Sequence, residues 1–139
     1  MNTINTTIPF QWASEVRAHE LDLQGIVNNA HYLCYLDHAR TLYLKERGVD
    51  WSLWQQNGFS WVLTQVDIRF LRPLRVFDQF IVHSAVERVG PIKWVFTQEI
   101  CCPARDEQNC RALSTVVCVN TRTNRAIAYE KTLAHIQVS

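Results

Sequence analysis

The sequence predicts an α+β domain in which an antiparallel sheet wraps one long helix. Three observations carry that expectation: strand-like alternation near the start, one long segment of helical spacing after it, and then a series of alternating apolar runs broken by turn residues. At 139 residues the chain has the length of one domain, large enough for a core without a metal or disulfide staple. The expected division is a flexible polar tail over 1–8 and a single domain over 9–139.

Pro9 to Arg17 alternates with Phe10, Trp12, Ser14 and Val16 on one side, which predicts the first strand. Residues 18–27 read as a loop, and Asn28 or Asn29 is a natural N-cap for the helical segment after it. Tyr32, Leu33, Leu36, Ala39 and Tyr43 recur at helical spacing, and Gly48 sits where a helix C-terminus would end. A short amphipathic turn, "WSLWQQNG", comes next. Strands are then predicted over Ser60–Leu71, Gln79–Val89, Ile92–Cys101 and Arg111–Asn120. Arg72-Pro73, Gly90-Pro91 and a polar loop from Pro103 to Asn109 separate them. After a turn at 121–125, Ala126 to Tyr129 reads as a last strand, before a segment of undecided type.

A composition of 47% hydrophobic and 19% charged residues excludes a disordered chain. The formal net charge of +1 supplies no general field for nucleic acid or an anionic membrane surface, so neither is expected as a partner. MNTINTTIPF has neither a basic nor an apolar leader segment, and a cytoplasmic protein is expected. Five cysteines, an odd number without CxxC spacing, are expected to be reduced and mostly buried. GxSxG, GxGxxG, P-loop and HExxH patterns do not occur, which sets aside the enzyme classes they mark.

The chemistry-bearing stretch is "LDLQGIVNNAHYLCYLDHAR", Leu21 to Arg40, where one carboxylate and one glycine precede a helix start. Extended to "VRAHELDLQGIVNNAHYLCYLDHAR", it resembles the N-terminal signature of acyl-CoA thioesterases of the 4-hydroxybenzoyl-CoA thioesterase type, which have the hot-dog fold. "DIRFLRPLRVFDQFIV" is similar to that family's second strand-turn-strand block. The resemblance implies hydrolysis of acyl-CoA with Asp22 as the active-site carboxylate, and the backbone N–H of Asn29 facing the thioester carbonyl. It also implies a homodimer or homotetramer with sites at subunit interfaces. Many relatives read D-x-D where this chain has Glu20-Leu21-Asp22.

The residue types suit that reaction. A helix N-terminus stabilises the tetrahedral oxyanion through free N–H groups and its dipole. A thiol, with a pKa of roughly 8.5, leaves with little help from a general acid. One carboxylate can then attack the carbonyl or deprotonate a water, and no metal or cofactor is called for. Gly25 would let the loop backbone run close to the acyl group, and Asn28 would border it. Arg69, Arg72 and Arg75 around Pro73, with Arg88 and Lys93 around Gly90-Pro91, are the candidate phosphate contacts.

Plainer readings stand beside these. An Asp three residues before a Gly is the pattern of an Asx turn. Asp37 is a rival carboxylate, or an ordinary i, i+3 partner of Arg40, and Glu20 reads as a solvated loop charge. His31, Cys34 and His38 share a helix face, read as a buried thiol between hydrogen-bonded histidines rather than a metal site. Trp51, Trp54 and Trp61 read as core, with an acyl-pocket role as the alternative. The rival functions are an acyl-carrier-protein thioesterase and a non-catalytic acyl-thioester binding protein.

Overall fold

A computed structural model of the chain describes residues 9–128; the expected tail over 1–8 and the segment beyond 128 lie outside the described residues. In chain order the elements are β1 (Phe10–Glu15), α1 (Asn29–Glu46), α2 (Trp51–Gln56), β2 (Phe59–Phe70), β3 (Gln79–Val89), β4 (Lys93–Cys102), β5 (Glu107–Asn120) and β6 (Arg125–Ala126). Single 3-10 turns stand at Ala18–Glu20 and Pro103–Arg105. The strands form one antiparallel sheet in the order β1-β3-β4-β5-β2, with β6 on the end of β5.

α1 starts where its cap chemistry dictates. The Asn28 side chain accepts a hydrogen bond from Ala30 N at 2.9 Å, meeting one of the donors a helix start leaves open. The helix stops at Gly48, whose φ of 83° a side chain would resist, and Gly48 N donates to Lys45 O at 3.1 Å. Its buried face is Tyr32, Tyr35, Leu36, Ala39, Arg40, Tyr43 and Leu44. Leu33, expected on that face, is 43% exposed, because it lies about 100° around the helix from Tyr32.

The sheet lays one side of its alternation on this helix. Phe80, Val82 and Val86 of β3, Trp94, Phe96, Ile100 and Cys102 of β4, and Cys110, Ala112, Val116 and Cys118 of β5 are all buried. They gather into two clusters, one around Tyr32, Leu36, Leu74 and Phe80, the other around Tyr43, Trp54, Trp61 and Trp94. Gln98 stands on β4 between Phe96 of one cluster and Ile100 of the other, inside a buried polar layer. There Arg40 Nη1 donates to Gln98 Oε1 at 3.0 Å and to Ser114 Oγ at 3.3 Å, while Gln98 Nε2 donates to Leu36 O at 3.1 Å and Ser84 Oγ at 3.0 Å. The layer ties the helix to the three central strands through directional bonds, so it sets how α1 sits on the sheet.

A curled antiparallel sheet wrapping one long helix is the hot-dog arrangement the sequence led us to expect. Two boundaries differ from the expectation. β5 begins at Glu107 rather than Arg111, so the expected Pro103–Asn109 loop contracts to the 3-10 turn and Asp106, the latter at φ 51°. Asn109 is the reason: it is fully buried, and its Nδ2 donates to Arg72 O at 3.1 Å, so a residue that reads as loop polarity is a clamp inside the sheet. The last strand is β6 at Arg125–Ala126. The cysteines are free; Cys102, Cys110 and Cys118 are buried, Cys101 is half-buried and Cys34 is exposed. Among the described residues no helix is long and apolar enough to cross a membrane.

Candidate active site

The loop before α1 folds on itself before it meets the helix. Leu21 and Val27 form an antiparallel bridge, and inside it Asp22 N donates to Ile26 O at 2.8 Å while Gly25 N donates to Asp22 O at 3.1 Å. The Asp22 carboxylate caps this turn: Oδ1 accepts from Gln24 N at 2.8 Å, which is the Asx-turn geometry the plainer reading described. Oδ2 makes no hydrogen bond among the described residues, so the turn uses one carboxylate oxygen and leaves the other to solvent or ligand. Gly25 is needed for its φ of 77°, and nothing lies within 4 Å of where its Cβ would be.

The trailing side of the loop is pinned to a second one, Arg72–Asp78. Val27 N donates to Leu74 O at 2.9 Å, Ile26 bridges Arg75, and Tyr32 Oη accepts from Leu74 N at 3.1 Å. That second loop is in turn locked by Asp78, which accepts from Arg75 N at 2.7 Å and pairs with Arg105 at 2.7 Å. The Arg105 guanidinium beside Asp78 holds its carboxyl below the usual range, outweighing the opposing effect of partial burial.

At the helix start Asn28 takes Ala30 N on its side chain and His31 N on its carbonyl, while Asn29 N has no partner among the described residues. Asp22, Gly25, Asn28 and Asn29 therefore share one short bridged segment that ends in the open N–H of a helix carrying 18 residues. Arg72 and Arg75 belong to the neighbouring loop.

The remaining expected phosphate contacts lie elsewhere. Arg69 is on the outer side of β2, opposite Arg111, in a groove of about 360 Å³ with Asp67, Glu99 and Leu113, because its neighbour Ile68 faces the core. Arg88 folds onto its own hairpin, with Nε donating to Gly90 O at 3.1 Å and Nη2 to Pro91 O at 3.3 Å. Lys93 opposes Val89 in the same hairpin. This hairpin packs at the Tyr43–Trp94 end of α1, roughly 21 Å along the helix axis from Asn29. Within the chain the five basic residues are three separate groups.

Asp37 pairs with Arg40 at 3.4 Å as expected. Cys34 is exposed rather than buried between its histidines, whose rings diverge: His31 sits beside His19 at 6.3 Å and His38 beside Trp12 at 4.8 Å. Trp54 and Trp61 are core, and Trp51 stacks on Trp54 at 5.9 Å. Glu20 is the largest departure, for it is buried at 4% exposure. Burial alone would raise its pKa, but hydrogen bonds from Arg17 and Tyr35 outweigh it and hold the carboxyl below its ordinary range. The signal for it was present as Arg17-x-x-Glu20, a Glu placed to reach back to the N–H three residues earlier, but its partner Tyr35 is 15 residues away in sequence.

Comparison with known proteins bears on what this loop and helix serve. The sequence profile of the thioesterase-like superfamily matches residues 16–136. The chain belongs to that superfamily. The match includes the Asp22 loop, α1 and all of β2 to β6. Among curated relatives, the long-chain acyl-CoA thioesterase FadM of Escherichia coli strain K12 is 28% identical over 116 residues, covering 84% of this chain and 87% of FadM. YneP of Bacillus subtilis, provisionally named an acyl-CoA thioesterase, is 30% identical over 117 residues, covering 84% of each chain. Among solved structures, the 1,4-dihydroxy-2-naphthoyl-CoA thioesterase Slr0204 of Synechocystis superposes with a TM-score of 0.83 at 16% identity, over 91% of this chain and 93% of that one, a likeness of fold.

Proposed function

We propose that this thioester hydrolase cleaves acyl-CoA, releasing a carboxylic acid and coenzyme A, with Asp22 as the working carboxylate. The observation that carries the reading is the bridged segment that joins the free Oδ2 side of Asp22 to the open N–H of Asn29. The superfamily match and the acyl-CoA thioesterases among its relatives support acyl-CoA as the substrate.

In this scheme the thioester oxygen rests at the N-terminus of α1, where the Asn29 N–H and the helix dipole stabilise the oxyanion. Asp22 takes a proton from water as the hydroxyl adds to the carbonyl carbon, or adds to that carbon itself to form an anhydride that water then opens. Collapse of the tetrahedral species breaks the C–S bond, and the thiolate leaves with the electron pair. Arg72 and Arg75, on the loop bridged to the Asp22 loop, are proposed as basic contacts to the carrier. The subunits pair along β2, an edge of the sheet among the described residues, which exposes Val62, Leu63 and Phe70.

Thiol release measured across short, long and aromatic acyl-CoAs tests the activity, with free coenzyme A as competitor. Competition supports a coenzyme A substrate; turnover of acyl-carrier-protein thioesters without competition assigns the carrier protein instead. Binding of acyl-CoA with no thiol release replaces the enzyme by a binding protein. Single-turnover hydrolysis in heavy-oxygen water separates the two roles of Asp22, because only the anhydride route can leave label in the protein.

A further inference from the structure

Glu20 is tied to more of the site than Asp22 is. A buried carboxylate costs several kcal/mol unless donors meet it, and Glu20 has three such bonds: Arg17 N at 2.7 Å, Arg17 Nη2 at 3.0 Å and Tyr35 Oη at 2.8 Å. Tyr35 belongs to the second turn of α1 and is itself buried, its ring 4.5 Å from that of Phe80. Glu20 also reaches the helix through its main chain, where its carbonyl accepts from Asn28 N at 2.9 Å. One residue therefore binds both the cap and the body of α1.

Asp22 lies two residues further on, and its own hydrogen bonds stay inside its turn: to Gln24 and Ile26 through the side chain, to Ile26 and Gly25 through the backbone. Nothing in those bonds places the turn against the helix. On the trailing side that task falls to Val27 and Ile26, held by Leu74 and Arg75; on the leading side it falls to Glu20. We propose that Glu20, hung from Tyr35, is the positioning residue that sets the Asp22 carboxylate against the N-terminus of α1. This rests on the assignment of Asp22 as the working carboxylate. Burial, and then the adjacent Glu20 carboxylate, push the Tyr35 phenol up, so Tyr35 remains a donor across the working pH range.

Tyr35→Phe deletes one hydroxyl and keeps the ring packing; Glu20→Gln keeps the shape and removes the charge. In the full-length protein each should lower kcat by about tenfold to a hundredfold with KM little changed, because a carboxylate displaced by an ångström reacts poorly while the carrier still binds. In an Asp22→Asn background neither should lower kcat further, since both act through Asp22. Urea midpoints identify any variant that fails to fold, and Tyr35→Phe decides the matter alone if Glu20→Gln is lost that way. An Asp22→Asn protein with full activity overturns the site assignment and the positioning role with it. A crippled Asp22→Asn beside unimpaired Tyr35→Phe and Glu20→Gln overturns the positioning role alone. Losses confined to KM, or repeated in full in the Asp22→Asn background, overturn it as well.

Discussion

The two ends of α1 are built from different materials. Around its C-terminal half the protein packs aromatic mass: Tyr43 against Phe96 at 5.6 Å, Trp54 against Trp61 at 5.8 Å, and Trp61 against Trp94 at 5.3 Å. Around its N-terminal half a second buried apolar cluster is joined by polar groups, with Asn28, Glu20, Tyr32 and Tyr35 each holding a named backbone or side-chain partner. The Arg40–Gln98 layer lies between the halves. Packing is non-directional and sustains stability, whereas hydrogen bonds fix orientation. The difference teaches that both ends of the helix anchor the fold, and that the N-terminal end is also held in a set orientation.

That contrast can be broken most severely at Asp22. Asp22→Asn keeps an oxygen for Gln24 N, so the urea midpoint should hold while kcat for thiol release falls by about a hundredfold to ten-thousandfold. Trp54→Ala is the complementary lesion: Trp54 is fully buried, so unfolding in urea should show a loss of about 3–5 kcal/mol, with kcat per folded molecule unchanged. If Trp54→Ala impairs turnover as deeply as Asp22→Asn, the two ends are not separable.

Asn28→Ala lies between these extremes, because the cap belongs to both stability and site. It should cost about 1 kcal/mol in urea unfolding and should lower kcat as well, since Ala30 N would lose its acceptor. Acid sharpens the comparison further. Glu20 and Asp78 both have folded pKa values below their ordinary ones, so the unfolded chain binds more protons across that window. Their contribution is complete at neutral pH and is lost as pH falls through the folded values. Urea midpoints recorded from pH 7 downward should decline, and Asp78→Asn should flatten that decline. The smallest effect belongs to Asp37→Asn: its side chain is 75% exposed, so breaking the pair with Arg40 should cost about 0.5 kcal/mol and leave kcat unaltered.

Much of the fold was readable because its signals are local. The Gln79–Val89 strand, the Asn28 cap and the Gly48 stop arise from alternation, a side-chain acceptor and a positive φ, each settled within a few residues. The turn at Asp22 was readable for the same reason, since an Asp and a Gly three residues apart meet within their own loop. Polarity misled wherever a distant partner satisfied it. Glu20 reads as solvated until Tyr35 arrives over it, and Asn109 reads as loop until Arg72 does.

By itself, then, the sequence determined the order of elements, the caps and turns that bound them, and the short segment in which a carboxylate precedes a helix start. Tertiary structure decided which of the polar residues are buried and which basic residues share a neighbourhood. It separated Arg88 and Lys93 from the Asp22 loop by most of the length of α1 and turned Arg69 to the far side of the sheet. It also brought Arg40 to Gln98 across 58 residues of chain. The physical reason is that periodicity tells a side chain which face it shares, but the partner that meets it there is chosen only when separate stretches of chain close upon one another.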